Sequence, residues 1–330
     1  MTHVVVTGAN GFVGSALCRA LMARGHTVTG LVRNVGSAPD GVMEWVHAPR
    51  DFAGVAQAWP RDLRPDCVIH LAARVHVTHD EAADPDAAFR TTNVDGTLAV
   101  ADAASRNGVR RFVFLSSIKS VAEVDGGSPL VEDAPACPGD PYGRSKRDAE
   151  RALAHVREQT GLDVVIVRPP LVYGPDVRAN FLRLMDAVWR GAPLPLGSAT
   201  GRRSLVYVGN LVDALIRCAT DVRAANGCFH VCDGEDLAVA ELIERIGLYL
   251  QRRARLVPVP AALLRMAGRL TGRQAQISRL TDDLRMDAAR IRACLDWRPP
   301  YSLDEGLAAT AQWYRSIQGV PNRGGVVRAG

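Results

Sequence analysis

The sequence predicts an α/β fold, a doubly wound parallel sheet with a smaller, mostly helical C-terminal cap. Three observations carry this. Short apolar runs alternate with amphipathic helical patterns over the first 170 residues, and these runs are continuous rather than alternating, as strands covered on both faces require. The first run ends in three glycines spaced by three, Gly8, Gly11 and Gly14, which open a helix. After Pro170 the texture changes to Pro, Gly and Arg followed by helical patterns.

In chain order, His3–Thr7, Thr27–Val32, Glu44–His47, Asp66–Ala72, Arg111–Ser116 and Asp163–Arg168 read as strands, with helices over Phe12–Arg24, Ala87–Asn107 and Tyr142–Thr160. "VVIVRPP" ends the regular part, because two prolines cannot continue a sheet interior. Helices then follow over Leu211–Ala219, Val239–Leu250, Ala261–Leu270, Asp287–Cys294 and Leu303–Tyr314, with short strands near Ser204–Val208 and Cys228–Val231, where the chain returns to the sheet. This divides the chain into a nucleotide-binding part (1–170 plus about 205–231), a substrate part (171–204 plus 232–316) and a flexible tail (317–330).

Composition excludes several classes. The 330 residues are 47% hydrophobic and 23% charged, as in soluble globular chains. No run is long enough to span a membrane, and the N-terminus lacks a signal-peptide pattern, so a cytoplasmic protein without stable membrane insertion is expected. The seven cysteines show no Cys-x-x-Cys and no metal spacing, so buried reduced thiols and no metal are expected. The net charge of +5, with arginines read as spread along the chain, fits a pocket for a small anion better than a nucleic-acid stripe.

The glycines have a physical reading. The first permits the tight turn, the second lets backbone approach a pyrophosphate, and the third allows close packing of helix on strand. Phe12 and Val13 then place the helix N-terminus, a natural anion site, against the phosphates. The end of the second strand reads "TVTGLVRN", with Arg33 and no acid, which favours the 2′-phosphate of NADP(H) over NAD(H). "YGRSK" puts Tyr142 and Lys146 on one helical face, where an ammonium would lower the phenol's pKa. The strand "RFVFLSS" ends in Ser116 and Ser117, at the edge where parallel sheets bind ligands.

Together, Gly8-x-x-Gly11-x-x-Gly14, "HLAA" (70–73), "NVDGT" (93–97), Ser116–Ser117, "YGRSK" and "RPPLVYGP" (168–175) resemble the extended short-chain dehydrogenase/reductases, and more narrowly their nucleotide-sugar epimerase/dehydratase branch. The resemblance covers about residues 4–313 and implies a Rossmann fold. It makes Tyr142 the general acid/base, Lys146 its tuner and a ribose ligand, and Ser117 the hydroxyl on the reacting oxygen. It also implies that Leu71, Ala72 and Ala73 pass along the cofactor, that Asn93 orders the site and that Pro169 starts the turn beside the nicotinamide. In the cap it implies a hold on a UDP-sugar by Asn180, Leu196, Arg203 and, more weakly, Arg279, and a homodimer through the helices 87–107 and 142–160.

The reaction stays open between related chemistries. Ile118 and Lys119 follow Ser117 where dehydratases carry an acid pair. Arg33, and "HAPRD" with Ala48 where an acid stands near the adenine, speak against permanently bound NAD. "HLAARVHV", "LSSIK" and "NFLRLM" are similar to the reductases of UDP-4-keto-6-deoxy-N-acetylhexosamines that form UDP-N-acetylquinovosamine for surface polysaccharide. This reading leads, with a UDP-glucose or UDP-N-acetylglucosamine 4-epimerase as alternative. A non-catalytic NADP sensor is disfavoured by the intact Ser117, Tyr142 and Lys146. Reductases of uncharged ketones are disfavoured by Asn180 and Arg203.

Overall fold

The computed structural model describes residues 1–75, 84–272 and 274–319. Seven strands form the main sheet: β1 (His3–Thr7), β2 (Thr27–Val32), β3 (Met43–Val46), β4 (Cys67–His70), β5 (Arg111–Leu115), β6 (Asp163–Arg168) and, later in the chain, β10 (Cys228–His230). Their order is β10-β6-β5-β4-β1-β2-β3, and every pairing is parallel. The order reverses between β1 and β4, which opens a crevice at their carboxyl ends.

Alternation along the strands sorts the core into two layers. Val4 and Val6 of β1 point to the face covered by α1 (Phe12–Ala23) and α6 (Val208–Thr220), while Val5 points to the face covered by α3 (Gly96–Arg106) and α4 (Pro141–Thr160). Both faces are therefore apolar, which is why the strands read as unbroken Val/Ile/Phe runs.

A second body of structure carries its own core. β7 (Leu171–Tyr173), β9 (Arg202–Tyr207) and β11 (Asp236–Ala238) form a three-stranded sheet; β8 (Pro193–Leu194) and β12 (Arg255–Leu256) pair separately. Helices α5 (Ala179–Trp189), α7 (Val239–Leu250) and α11 (Leu303–Gln318) pack Phe181, Met185, Ile243, Ile246 and Leu307 around Tyr173 and Leu205. Phe12 at the start of α1 touches both cores. The remaining helices are α2 (Pro85–Arg90), α8 (Ala261–Leu270), α9 (Gln274–Thr281) and α10 (Ala289–Leu295).

Several expectations are corrected. The strand near 204–208 does not return to the main sheet. It pairs with β7 and β11, and the return is made by α6 and β10. The helix expected over 87–107 is interrupted by a π-type turn at Thr91–Asp95, which swings Asn93 fully into the interior. Helices α5 and α9 were not anticipated. Helix α11 reaches Gln318, two residues into the expected tail, and the tail beyond Gly319 lies outside the described residues. Cys137 and Cys294 are exposed rather than buried. Among the described residues no helix is long and apolar enough to cross a membrane.

Candidate active site

The first part of the site is a backbone cradle at the crevice. Gly8 has φ +68°, and a Cβ there would lie 3.0 Å from the Ala72 nitrogen. A Cβ on Gly14 would lie 2.1 Å from the Gly8 carbonyl oxygen, which leaves room only for hydrogen. Helix α1 starts at Gly11 with no side-chain cap and no acid in its first turn. Its N–H groups and positive dipole end thus face the crevice, the arrangement a dinucleotide's phosphates require. Phe12 and Val13, the first helical residues, are half-buried, and Arg33 is exposed one residue beyond β2.

Behind the cradle runs a buried hydrogen-bond relay. The Thr7 hydroxyl accepts the Leu71 and Ala72 N–H groups, both at 3.2 Å, and lies 2.9 Å from His70 Nδ1. His70 Nε2 lies 3.1 Å from the Thr97 hydroxyl, which donates to the Asn93 carbonyl at 2.7 Å. Because the Thr97 proton is thus used, His70 must donate from Nε2 and accept at Nδ1. Burial, with Lys146 adding to it, pulls the His70 pKa down to about 3, so the ring stays neutral. Asn93 continues the relay: its amide donates to the Ser145 hydroxyl at 2.9 Å and the Arg74 carbonyl at 3.0 Å, and accepts the Arg74 N–H at 2.7 Å. Ser145 donates to the Tyr142 carbonyl at 2.8 Å. One chain of bonds therefore joins the end of β1 to the first turn of α4.

The second part gathers Ser117, Tyr142 and Lys146. Asp140 caps α4, accepting the Gly143 N–H at 2.7 Å, and its carboxylate also pairs with Lys119. A Cβ on Gly143 would sit 2.3 Å from the Lys119 carbonyl oxygen, so the glycine of "YGRSK" is what lets α4 lie against the turn after β5. There the Ser117 hydroxyl neighbours the Tyr142 phenol, and Ser117 Oγ accepts the Lys119 N–H at 3.2 Å. Lys146 is 2% exposed and donates from Nζ to the Leu115 carbonyl at 2.8 Å, with Nζ 4.5 Å from the Phe114 ring centre and 6.0 Å from that of Tyr142.

Burial dominates the electrostatics of this pair. Burial pushes the Tyr142 phenol up to about 12, against the opposing Ser117 bond, and burial pulls Lys146 down to about 7, against the opposing charge of Glu150. Lys146 Nζ, itself desolvated, spends one of its protons on the Leu115 carbonyl.

The neighbouring serine faces the other way. Ser116 donates to Glu150 at 2.5 Å, and Glu150 accepts from Ser120 at 2.8 Å and from Arg168 through both its oxygens, at 2.9 and 2.7 Å. Glu150 and Arg168 side chains are each 5% exposed. Burial alone would raise the Glu150 pKa, yet Arg168 and the two serines hold it below the usual carboxylate range. Ser116 thus belongs to a buried ionic anchor, and Ser117 to the crevice. Pro169, also buried, accepts the Ile118 N–H at 2.9 Å and ties the end of β6 to the same turn.

The cap candidates are less gathered. Asn180 is exposed at the start of α5. Arg203 is half-buried in β9, opposite Leu237. Leu196 is 8% exposed and belongs to the cap core, where its N–H donates to the Leu194 carbonyl at 2.8 Å. Arg279 falls on α9, and its side chain lies outside the described residues.

Sequence reasoning missed a turn after β3. Asp51 and Phe52 both have left-handed backbone, φ 53° and 59°. Asp51 accepts the Thr92 hydroxyl at 2.6 Å, and Phe52 lies 5.6 Å from the His70 ring. The acid of this loop is therefore Asp51, three residues beyond Ala48. Two adjacent non-glycine residues at positive φ are the strain that ligand-facing loops carry, a signal absent from composition.

The description "NAD dependent epimerase/dehydratase family" belongs to the family model that matches residues 4–232. A UDP-glucose 4-epimerase of Vibrio cholerae is 38% identical over 315 residues, 94% of each chain. A dTDP-glucose 4,6-dehydratase of Streptomyces griseus is 32% identical over 95% of this chain and 94% of its own. Among solved structures, a UDP-glucose 4-epimerase of Thermus thermophilus in complex with NAD superimposes with a TM-score of 0.76 at 26% identity, covering 95% of this chain and 99% of that one. The family match spans the strand ends, the cradle and the helix on which Tyr142 and Lys146 stand, so this chain belongs to the NAD-dependent epimerase/dehydratase family of extended short-chain dehydrogenase/reductases.

Proposed function

We propose that the protein is a UDP-hexose 4-epimerase working with a held NAD. The observation that carries this is the 38% identity with the Vibrio cholerae epimerase across nearly the full length of both chains. The reductase that led from the sequence gives way to it. The loop after β3 carries an acid, Asp51, which accepts the Thr92 hydroxyl and would be the candidate to meet the adenosine end of NAD.

The residues divide the work as follows. Gly8, Gly11 and Gly14 admit the diphosphate, Phe12 and Val13 place the helix end against it, and the backbone of Leu71–Ala73 runs beside the cofactor. NAD, when bound, supplies a hydride acceptor and donor. Ser117 holds the sugar's O4, and Tyr142 takes its proton and later returns it. Lys146 lies next to the phenol and can carry positive charge near neutral pH, which favours the phenolate as the proton leaves. Asn93 holds Tyr142's helix in register through Ser145.

On the substrate side, Arg203 pairs with the diphosphate and Asn180 with the nucleotide-sugar. Residues 171–204 and 232–316 are the substrate part. The dehydratase relative makes the residues after Ser117 decisive. Ile118 is buried and apolar, and Lys119 is committed to Asp140 and to Glu123 at 3.1 Å, so the two positions after Ser117 supply no carboxylate pair to the sugar. Two copies pair through α3 and α4, where Leu98, Ala99, Ala152 and Val156 are only partly buried.

The test begins with the purified protein. Denaturation should release NAD in a one-to-one ratio, and the native protein should interconvert UDP-glucose and UDP-galactose without added cofactor. A nucleotide-free protein that oxidises NADPH only with a UDP-4-keto-6-deoxy sugar would return the assignment to the reductase.

A further inference from the structure

The positive charge of this chain is not spread evenly, contrary to the reading taken from its sequence. Residues 251–281 hold seven arginines and no aspartate or glutamate, more than the net +5 of the whole protein, so the remainder is net negative. The same stretch is unusually apolar on its outside. Val257 is 42% exposed, Leu263 50%, Met266 54% and Leu270 81%. The last three stand at i, i+3 and i+7 of α8, one outward stripe, while the helix is held down by Leu264 and Gly268. Arg265 and Arg269 are exposed on the same helix, and Arg265 reaches Asp282 at 3.2 Å.

The strap leading into α8 repeats the pattern. Arg190, Arg252, Arg253 and Arg255 line a cavity of about 510 Å³ beside Trp189. Arg252 lies over the Trp189 ring at 4.4 Å, and none of the four pairs with a carboxylate among the described residues. Unpaired guanidiniums recognise phosphate by forked hydrogen bonds, and an outward apolar stripe flanked by arginines is the pattern of a helix lying in a bilayer interface.

We propose that the ribbon from Arg252 to Leu270 docks this protein on an anionic phospholipid bilayer, with Leu263, Met266 and Leu270 entering the headgroup boundary and the arginines meeting lipid phosphates. Charge complementarity selects this occupant. A second copy of the chain would bring like charge against like, because the stretch 251–281 has no acid of its own and Asp282 beside it already holds Arg265. The helix has ten residues and cannot cross a membrane, so the docking is peripheral and reversible. It does not depend on which sugar is turned over.

The test is flotation of the full chain with vesicles of phosphatidylcholine containing phosphatidylglycerol, against phosphatidylcholine alone. Binding should be at least tenfold stronger to the anionic vesicles and weaken with salt, since exposed charges are screened. The double variant M266S/L270S should lose tenfold in binding while turning over UDP-sugar in solution as the parent does. R252Q/R253Q should lose the preference for anionic lipid. Failure of the parent to float at low salt would overturn the proposal, as would unchanged flotation of M266S/L270S. A parent that ignores vesicles but sediments as a larger species than M266S/L270S would show instead that a second copy covers this face.

Discussion

The carboxyl edge of the main sheet and the cap that faces it are built to different degrees of finish. At the sheet edge the polar side chains are held in place: Thr7, His70, Thr97, Asn93 and Ser145 form one buried relay, Ser117 accepts the Lys119 N–H, and Lys146 donates to the Leu115 carbonyl. In the cap Asn180 is exposed, and Arg203 lies on a strand of a separate three-stranded sheet. The chemistry is common to a family that handles many sugars and needs fixed geometry, because proton transfer is lost when atoms move by an ångström. Recognition of a sugar nucleotide can be completed by contacts made on binding, so a residue such as the exposed Asn180 need not be buried beforehand. The comparison predicts that lesions at the edge abolish turnover or stability, while lesions in the cap alter affinity.

The largest effect belongs to Tyr142→Phe. Loss of the phenolic proton should lower kcat about a thousand-fold, within the range for general acid/base groups, while NAD is still retained. Full nucleotide release on denaturation together with the loss of turnover establishes the division. Near-full activity would remove Tyr142 from the chemistry and erase the contrast between edge and cap.

Glu150→Gln tests whether the edge is held from below. The change leaves Arg168 charged among residues that exclude water, with its side chain 5% exposed, and should cost about 3 kcal/mol of stability, read by urea unfolding. The parent carries a pH signature at the same place. The folded-state pKa of Glu150 lies below its ordinary 4.5, so its contribution is complete above that pH and is lost as the pH falls further. The variant should show a shallower loss of stability on acidification. An equal slope would mean that the Ser116–Glu150–Arg168 anchor does not support the crevice.

How much of this could be read from the residues in order follows the range of the interactions. The glycine cradle is legible because Gly8, Gly11 and Gly14 act within one turn, and Tyr142 and Lys146 because they share one helical face. The parallel sheet is legible because both its faces demand apolar residues. The relay is not, since Thr7 meets His70 across 63 residues and Asn93 meets Ser145 across 52, and no local pattern encodes either contact. Nor is the pairing of β9 with β7 and β11, because a short apolar run fits either sheet. The turn at Asp51 is hidden for a related reason: nothing in the local residues announces the left-handed backbone of Asp51 and Phe52. Nor is the packing of Leu196 legible, since a leucine in a Pro/Gly-rich loop gives no sign that the loop folds back onto the cap core.

On the cap side, Arg203→Ala should raise KM for the UDP-sugar by about ten- to a hundredfold with kcat within threefold, the mark of an interaction made equally in ground and transition states. Asn180→Ala should do the same more weakly, since its side chain starts from solvent. A fall in kcat as large as that in kcat/KM would show that the cap positions the sugar against Tyr142, and that the two regions are not separable.

The smallest effect is expected at Arg33, which is on the cofactor side but outside the relay. It follows β2, is exposed, and can meet a 2′-phosphate only through solvent-screened contact. Exposed charge pairs are worth little, so Arg33→Ala should weaken binding of NADP(H) by about three- to fivefold and leave NAD(H) within twofold, measured by titration of nucleotide-free protein. A loss of tenfold or more, specific to NADP(H), would mean that phosphate recognition is built into the fold, and would shift the balance from a held NAD toward a reductase with exchangeable NADPH. No change in either nucleotide would make Arg33 a solvated strand end, and the choice of cofactor would then rest on the loop of Asp51, where Asp51→Ala becomes the discriminating variant.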